Sequence, residues 1–116
     1  MFERLAGADF CYLTTTGRRS GRPHEIEIWF AISGRTLYLL SGGRDAADWV
    51  QNIRKDPRVR LRINTQIASL RGRFPRANTR EDRLARELLD GKYMDWRKGA
   101  QLSGWAKSAL PVAIDL

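Results

Sequence analysis

Cysteine and histidine are almost missing from this chain: Cys11 and His24 each stand alone among 116 residues. A single cysteine excludes an internal disulfide framework and any cysteine-rich zinc module, and it suits a reducing, cytoplasmic setting. A single histidine leaves a histidine-clustered metal site or a Cys/His nucleophile pair without material, so no metal site is expected. Long hydrophobic runs are absent as well. No window approaches the roughly 18 consecutive apolar residues of a transmembrane segment, and residues 1–10 lack the basic start and apolar run of a signal peptide. Acidic residues are scarce, 13 against 21 Lys and Arg, which leaves a net charge of +8. The partner expected of such a chain is anionic: nucleic acid, an acidic membrane surface, or a small molecule carrying phosphates or carboxylates.

What is present is enough apolar material for a core, 42% of the residues with 4 Trp, 3 Tyr and 4 Phe, and one domain over residues 1–116 is the natural reading. Phe10 to Thr15, aromatic and β-branched, reads as a first strand that stops at Gly17. His24 to Ile32 alternates, with Glu25 and Glu27 on one side and Ile26, Ile28 and Phe30 on the other. Ser33-Gly34-Arg35 is a tight turn, and Thr36 to Leu40 is the returning strand. Asp45 and Asp48 have the spacing of an N-cap and its third residue, opening a helix from about Ala46 to Lys55 that Asp56-Pro57 ends. Two further strands follow, Val59 to Ile63 alternating with arginines and about Gln66 to Phe74, then a helix capped by Thr79 and ending at Gly91. The tail predicts a loop or short helix and a closing strand, Val112 to Ile114. This order predicts a mainly β, α+β chain: a small antiparallel barrel with helices packed on it.

Two loops have the composition of binding sites. Arg18, Arg19 and Arg22 share one loop with Ser20, Gly21 and Pro23; guanidinium forks and approachable backbone N–H groups suit a phosphodiester or carboxylate, and a solvated basic turn accounts for the same residues. Ser41, Gly42, Gly43 and Arg44 leave a strand just before a helix; an anionic or carbonyl oxygen, or merely a capped helix, is the corresponding pair of readings. Arg58, Arg60, Arg62, Arg71 and Arg73 form a basic sheet face. The outward aromatics that single strands stack upon are missing there, so no specific nucleic acid is expected.

The run from Leu13 through Thr14-Thr15-Thr16-Gly17-Arg18-Arg19-Ser20-Gly21-Arg22-Pro23, the hairpin, the Ser41-Gly42-Gly43 break and the Trp49-x-x-Asn52-Ile53 helix ending in Asp56-Pro57 resembles the deazaflavin-dependent nitroreductase family. The resemblance implies a split antiparallel β-barrel, FMN-binding-like and related to pyridoxamine-phosphate-oxidase-like proteins, assembled as a homodimer. It implies a cytoplasmic oxidoreductase that uses reduced deazaflavin coenzyme F-420, whose phosphodiester and oligoglutamate tail suit a basic protein. The acceptor is a small quinone, enone or nitroaromatic compound; an FMN- or heme-binding split barrel is the alternative. By position, Arg18, Arg19, Ser20, Gly21, Arg22 and Pro23 would contact the phosphate and tail, Ser41, Gly42, Gly43 and Arg44 would face the ring, and Trp49 and Asn52 would brace that Ser41–Arg44 loop from the helix. Trp29, Tyr93, Trp96 and Trp105 are candidates for the acceptor pocket, and no catalytic side chain is expected because the coenzyme carries the chemistry. Glu25 and Glu27 make the strand after Pro23 more acidic than the family pattern.

Overall fold

The computed structural model describes residues 2–116. After a turn of 3-10 helix at Phe2–Leu5, the chain runs β1 (Cys11–Thr16), β2 (Pro23–Ile28), β3 (Ala31–Ser33) and β4 (Thr36–Ser41), then α1 (Asp48–Lys55), β5 (Arg58–Ile63), β6 (Gln66–Arg73), α2 (Arg80–Tyr93), α3 (Gly104–Ser108) and β7 (Leu110–Asp115). The strands form one sheet in the order β2-β1-β5-β6-β7-β4-β3, and every neighbouring pair is antiparallel. Its two edge strands, β2 and β3, are separated in sequence only by Trp29 and Phe30. So short a link requires the sheet to curl until its edges approach, which makes it a split barrel.

The expected single strand from His24 to Ile32 is thus two strands on opposite edges. At the break Phe30 is fully buried, and its backbone is served by side chains in place of a neighbouring strand. Its N–H donates to Tyr93 Oη at 3.1 Å, while its carbonyl accepts from Tyr93 Oη at 3.0 Å and Lys92 Nζ at 2.9 Å. Two groups from the end of α2 therefore satisfy the donor and acceptor that the ladder gives up.

Alternation places Cys11, Leu13, Leu37, Leu39, Leu61, Ile63, Val112 and Ile114 inside the curl, where α1 adds Val50 and Ile53. Burial of each large aliphatic side chain is worth about 1.5–3 kcal/mol. Burial also pushes the Cys11 thiol up to about 12, which leaves it an inert core group. The helix meets the sheet at Gly72, where a Cβ would lie 3.1 Å from Ile53 Cγ2. A second cluster, with Tyr38, Leu40, Ala85, Leu89, Ala106 and Ala113, packs α2 and α3 against the other side of β4 and β7.

Helix ends differ from expectation in an instructive way. Asp45 does not cap α1: its carboxylate accepts from Arg54 Nε at 2.6 Å, a 3-10 turn occupies Arg44–Ala46, and α1 begins at Asp48 behind Ala47. Thr79 does cap α2, accepting from Asp82 N at 3.3 Å, but that helix continues through Gly91 to Tyr93. The seam between β6 and β7 has only two residue pairs. Arg73 staples it, donating to Asp115 on β7 at 2.8 Å and to both oxygens of Glu81 on α2 at 2.7 Å.

Candidate functional site

The loop between β1 and β2 closes on itself: Gly17 N donates to Arg22 O at 2.7 Å and Gly21 N to Gly17 O at 2.8 Å. Gly21 has φ of +71°, a conformation costly for any side chain. Asn52, which is 4% exposed, holds this loop to α1 and not the Ser41–Arg44 loop that the resemblance assigns to it, because its amide faces β1 and Arg18. Asn52 Oδ1 accepts from Arg18 N and Arg18 Nη1, each at 3.1 Å, and Nδ2 donates to Thr15 Oγ1 at 3.1 Å. Arg18 also pairs with Asp48 at 3.2 Å. The Arg18 guanidinium is thereby spent on anchoring the loop. Arg19 and Arg22 are exposed, and neither pairs with a carboxylate among the described residues. Ser20 Oγ accepts from Arg22 N at 3.1 Å, and Pro23 opens β2, where an edge strand tolerates it.

A cleft of about 460 Å³ lies between this loop and α1, lined by residues that include Arg18, Arg19, Ser20, His24, Glu25, Trp49 and Asn52. His24 is a lining group that the motif reading passed over; Glu25 and Ile26 line the cleft as well, so the alternation of β2 does not single it out.

The second loop is built around Arg44, which has φ of +51°. Its backbone is held by Ser41 Oγ, which donates to Arg44 O at 3.0 Å, and its guanidinium donates to Ser108 O and Ala109 O at 2.6 and 3.2 Å. Ser41 is buried. These two residues therefore shape the loop from behind, and the exposed backbone left for a ligand is that of Gly42 and Gly43. Neither glycine is packed against: a Cβ at Gly42 would meet Trp105 at 3.7 Å and one at Gly43 would meet Ala47 at 3.7 Å.

Beside Gly42 the structure brings together three of the four aromatic residues singled out from the sequence. The Trp29 and Tyr93 rings are parallel with centroids 4.4 Å apart, and Trp29 meets Trp105 edge to face at 5.6 Å. Burial raises the Tyr93 phenol above its ordinary value, so it stays protonated and donates to Asp9 O at 2.7 Å. Trp96 is elsewhere, donating to Ala100 O at 2.9 Å within the loop after α2 and lining a separate depression with Arg83 and Glu87. Trp29, Trp105, Leu40, Met94, Ile28 and Glu27 line an open, largely apolar depression of about 530 Å³. The two clefts are neighbours along β2, residues 24–26 lining the first and 27–29 the second.

The basic sheet face is partly neutralised. Arg58 pairs with Asp56 at 2.7 Å and Arg73 with Glu81 and Asp115, while Arg62 lies over the Tyr12 ring at 4.1 Å. No group of metal-ligating side chains occurs among the described residues, and no helix among them is long and apolar enough to cross a membrane.

Solved structures similar to this one share its fold at low identity. One is an F420-H2 dependent reductase (FDR-A), with 17% identity over 94% of this chain and 95% of that one and a TM-score of 0.72. A putative pyridoxamine 5'-phosphate oxidase from Listeria innocua has 18% identity over 97% and 87% of the two chains, with a TM-score of 0.69. The heme storage protein HutZ from Vibrio cholerae has 10% identity over 98% and 86%, with a TM-score of 0.73. No curated protein matches the sequence. Residues 1–113 match the family model described as F420H2-dependent quinone reductase. With its split barrel, anchored arginine loop and glycine turn inside that match, the chain belongs to the F420H2-dependent quinone reductase family.

Proposed function

We propose that this chain binds the anionic part of coenzyme F-420 at the β1–β2 loop, its ring beside Gly42 and Gly43, and the acceptor in the aromatic corner. The observation that carries the reading is the division of labour among the loop arginines: Arg18 is consumed by Asn52 and Asp48, and Arg19 and Arg22 are left for an outside anion. A phosphodiester with a carboxylate tail suits that pair of forks. When bound, the reduced coenzyme supplies two electrons and a proton as hydride, and a quinone that also takes up a proton becomes the quinol.

The chain's own contribution is binding and placement. Unhindered backbone at Gly42 and Gly43 admits a flat ring, the indoles of Trp29 and Trp105 exclude water from one side of the corner, and Tyr93 fixes Trp29 by stacking on it. FMN remains the second reading, since a flavin phosphate would use the same forks. A homodimer, the assembly that the family resemblance implies, belongs to the same proposal. Its place is the cytoplasm, in keeping with the one reduced, buried thiol.

Fluorescence titration with the coenzyme tests the site. Arg19→Ala or Arg22→Ala should weaken binding by about 1.5–3 kcal/mol, the scale of a charged hydrogen bond. Added salt should weaken the wild type more than either variant. Unchanged dissociation constants in both variants would take the loop out of the site.

A further inference from the structure

The wall of the aromatic corner carries a charge that the reduction of a neutral acceptor does not require. Glu27, exposed on edge strand β2, lines the cavity together with Trp29 and Trp105. Its Oε1 accepts from the Tyr12 phenol at 3.0 Å, a bond that fixes the carboxylate and raises the Tyr12 phenol above its ordinary value. Trp29 and Trp105 border the corner edge to face at 89°, with one face of Trp29 covered by Tyr93, so their π-systems lie beside the carboxylate. Two cations packed on neighbouring aromatic rings are already engaged. Arg62 covers the Tyr12 ring, and Lys92 Nζ donates to the carbonyls of Ala6, Ala8 and Phe30 at 2.7–2.9 Å. Neither lines the cavity; among the described residues, its lining includes one charged side chain, and that charge is negative in a chain of net +8.

We infer that this corner is a binding site for planar aromatic cations, with Glu27 as the residue that sets the preference for charge. An indole attracts a cation through its quadrupole, and a carboxylate beside it adds direct attraction. Met94, 46% exposed, gives the rim a soft, adaptable surface. Where the acceptor enters here, as proposed above, cationic acceptors are favoured over anionic ones of the same shape. The binding itself does not depend on that reading, because it needs no coenzyme.

The test is calorimetric titration of the coenzyme-free protein with N-methylquinolinium, with quinoline at a pH where it is neutral, and with 1-naphthoate. N-methylquinolinium should bind about tenfold more tightly than quinoline, with naphthoate weakest. Glu27→Gln, which keeps the size and the bond to Tyr12, should bring the first two within about twofold of each other. Tyr12→Phe removes the phenol but leaves the charge, so the preference should survive. Should Glu27→Gln fail to fold, the wild type decides alone: salt must weaken N-methylquinolinium binding and spare quinoline. Equal affinities in the wild type, naphthoate as the tightest ligand, or a preference unaltered in Glu27→Gln would each overturn the inference. Coenzyme titration of the same protein reports on the arginine loop, so failure of that site is seen separately.

Discussion

Replacing Asn52 by Ala removes the buried side chain that ties the binding loop to α1 and leaves only the exposed Arg18–Asp48 pair between them among the described residues. Three hydrogen bonds of 3.1 Å are lost, and their partners do not fare equally. The Arg18 groups are half-buried and regain water, but Thr15 is 2% exposed and its hydroxyl does not. Intramolecular hydrogen bonds contribute about 0.5–1.5 kcal/mol each, and a stranded buried group costs about 1–3 kcal/mol. Two bonds to Arg18 groups and one stranded hydroxyl therefore sum to about 2–6 kcal/mol, and at about 4 °C per kcal/mol for a domain of this size Tm should fall by about 8–24 °C. The same change frees the backbone of Arg18, so coenzyme affinity should fall even though Asn52 carries no charge. Asn52→Asp keeps the acceptor for Arg18 and lets the Thr15 hydroxyl donate, so it should lose less on both counts. Scanning calorimetry and coenzyme titration on the two variants give the answer. A Tm in Asn52→Ala within about 2 °C of the wild type, with unchanged affinity, would show that the anchoring argument is wrong.

Gly43→Val should abolish coenzyme-dependent quinone reduction while Tm stays nearly constant, because the chain itself has room for a Cβ there at 3.7 Å from Ala47; full activity in this variant would remove the glycine turn from the ring site. Arg73 holds the carboxyls of Glu81 and Asp115 below their ordinary values of 4.5 and 3.8. Depressed folded-state values give stability that is complete above the ordinary values and is lost as pH falls through the lowered ones. Arg73→Met should therefore flatten the acid side of a Tm-against-pH profile, and an acid limb as steep as the wild type's would refute the staple. Light scattering should give the mass of a homodimer at micromolar protein, and a monomer that still binds coenzyme would refute that part of the proposal.

Most of the strands were legible: β5 and β6 through residues buried at every second position, β1 through its aromatic and β-branched content, and β4 as an apolar run behind the Ser33-Gly34-Arg35 turn. The break at Trp29-Phe30 was not, because Phe30 continues the alternation perfectly and only Lys92 and Tyr93, some 60 residues later, show where its backbone bonds go. Capping of α1 was misjudged for a similar reason: Asp45 has the right spacing, but Arg54 outcompetes the helix for it. In the candidate site, residue types exposed the arginine loop, yet they could not distinguish the anchoring Arg18 from Arg19 and Arg22. Ser41 and Arg44 likewise look like ligand groups in sequence and are scaffold in three dimensions. Trp96 shares the composition of the aromatic corner but not its position, since the turn after α2 carries it away.

The strand that joins the two halves of the sheet is made late. β7 pairs along its full length with β4 and at two positions with β6, and Thr36 reaches Asp115 over a sequence separation of 79. During synthesis β4 must wait, its apolar edge unpaired, until residues 110–115 leave the ribosome. Closure over so long a separation makes for slow folding. A fragment stopping before Leu110 would lack the strand that connects β6 to β4, so the arginine loop and the glycine turn would belong to two pieces of sheet with no common ladder.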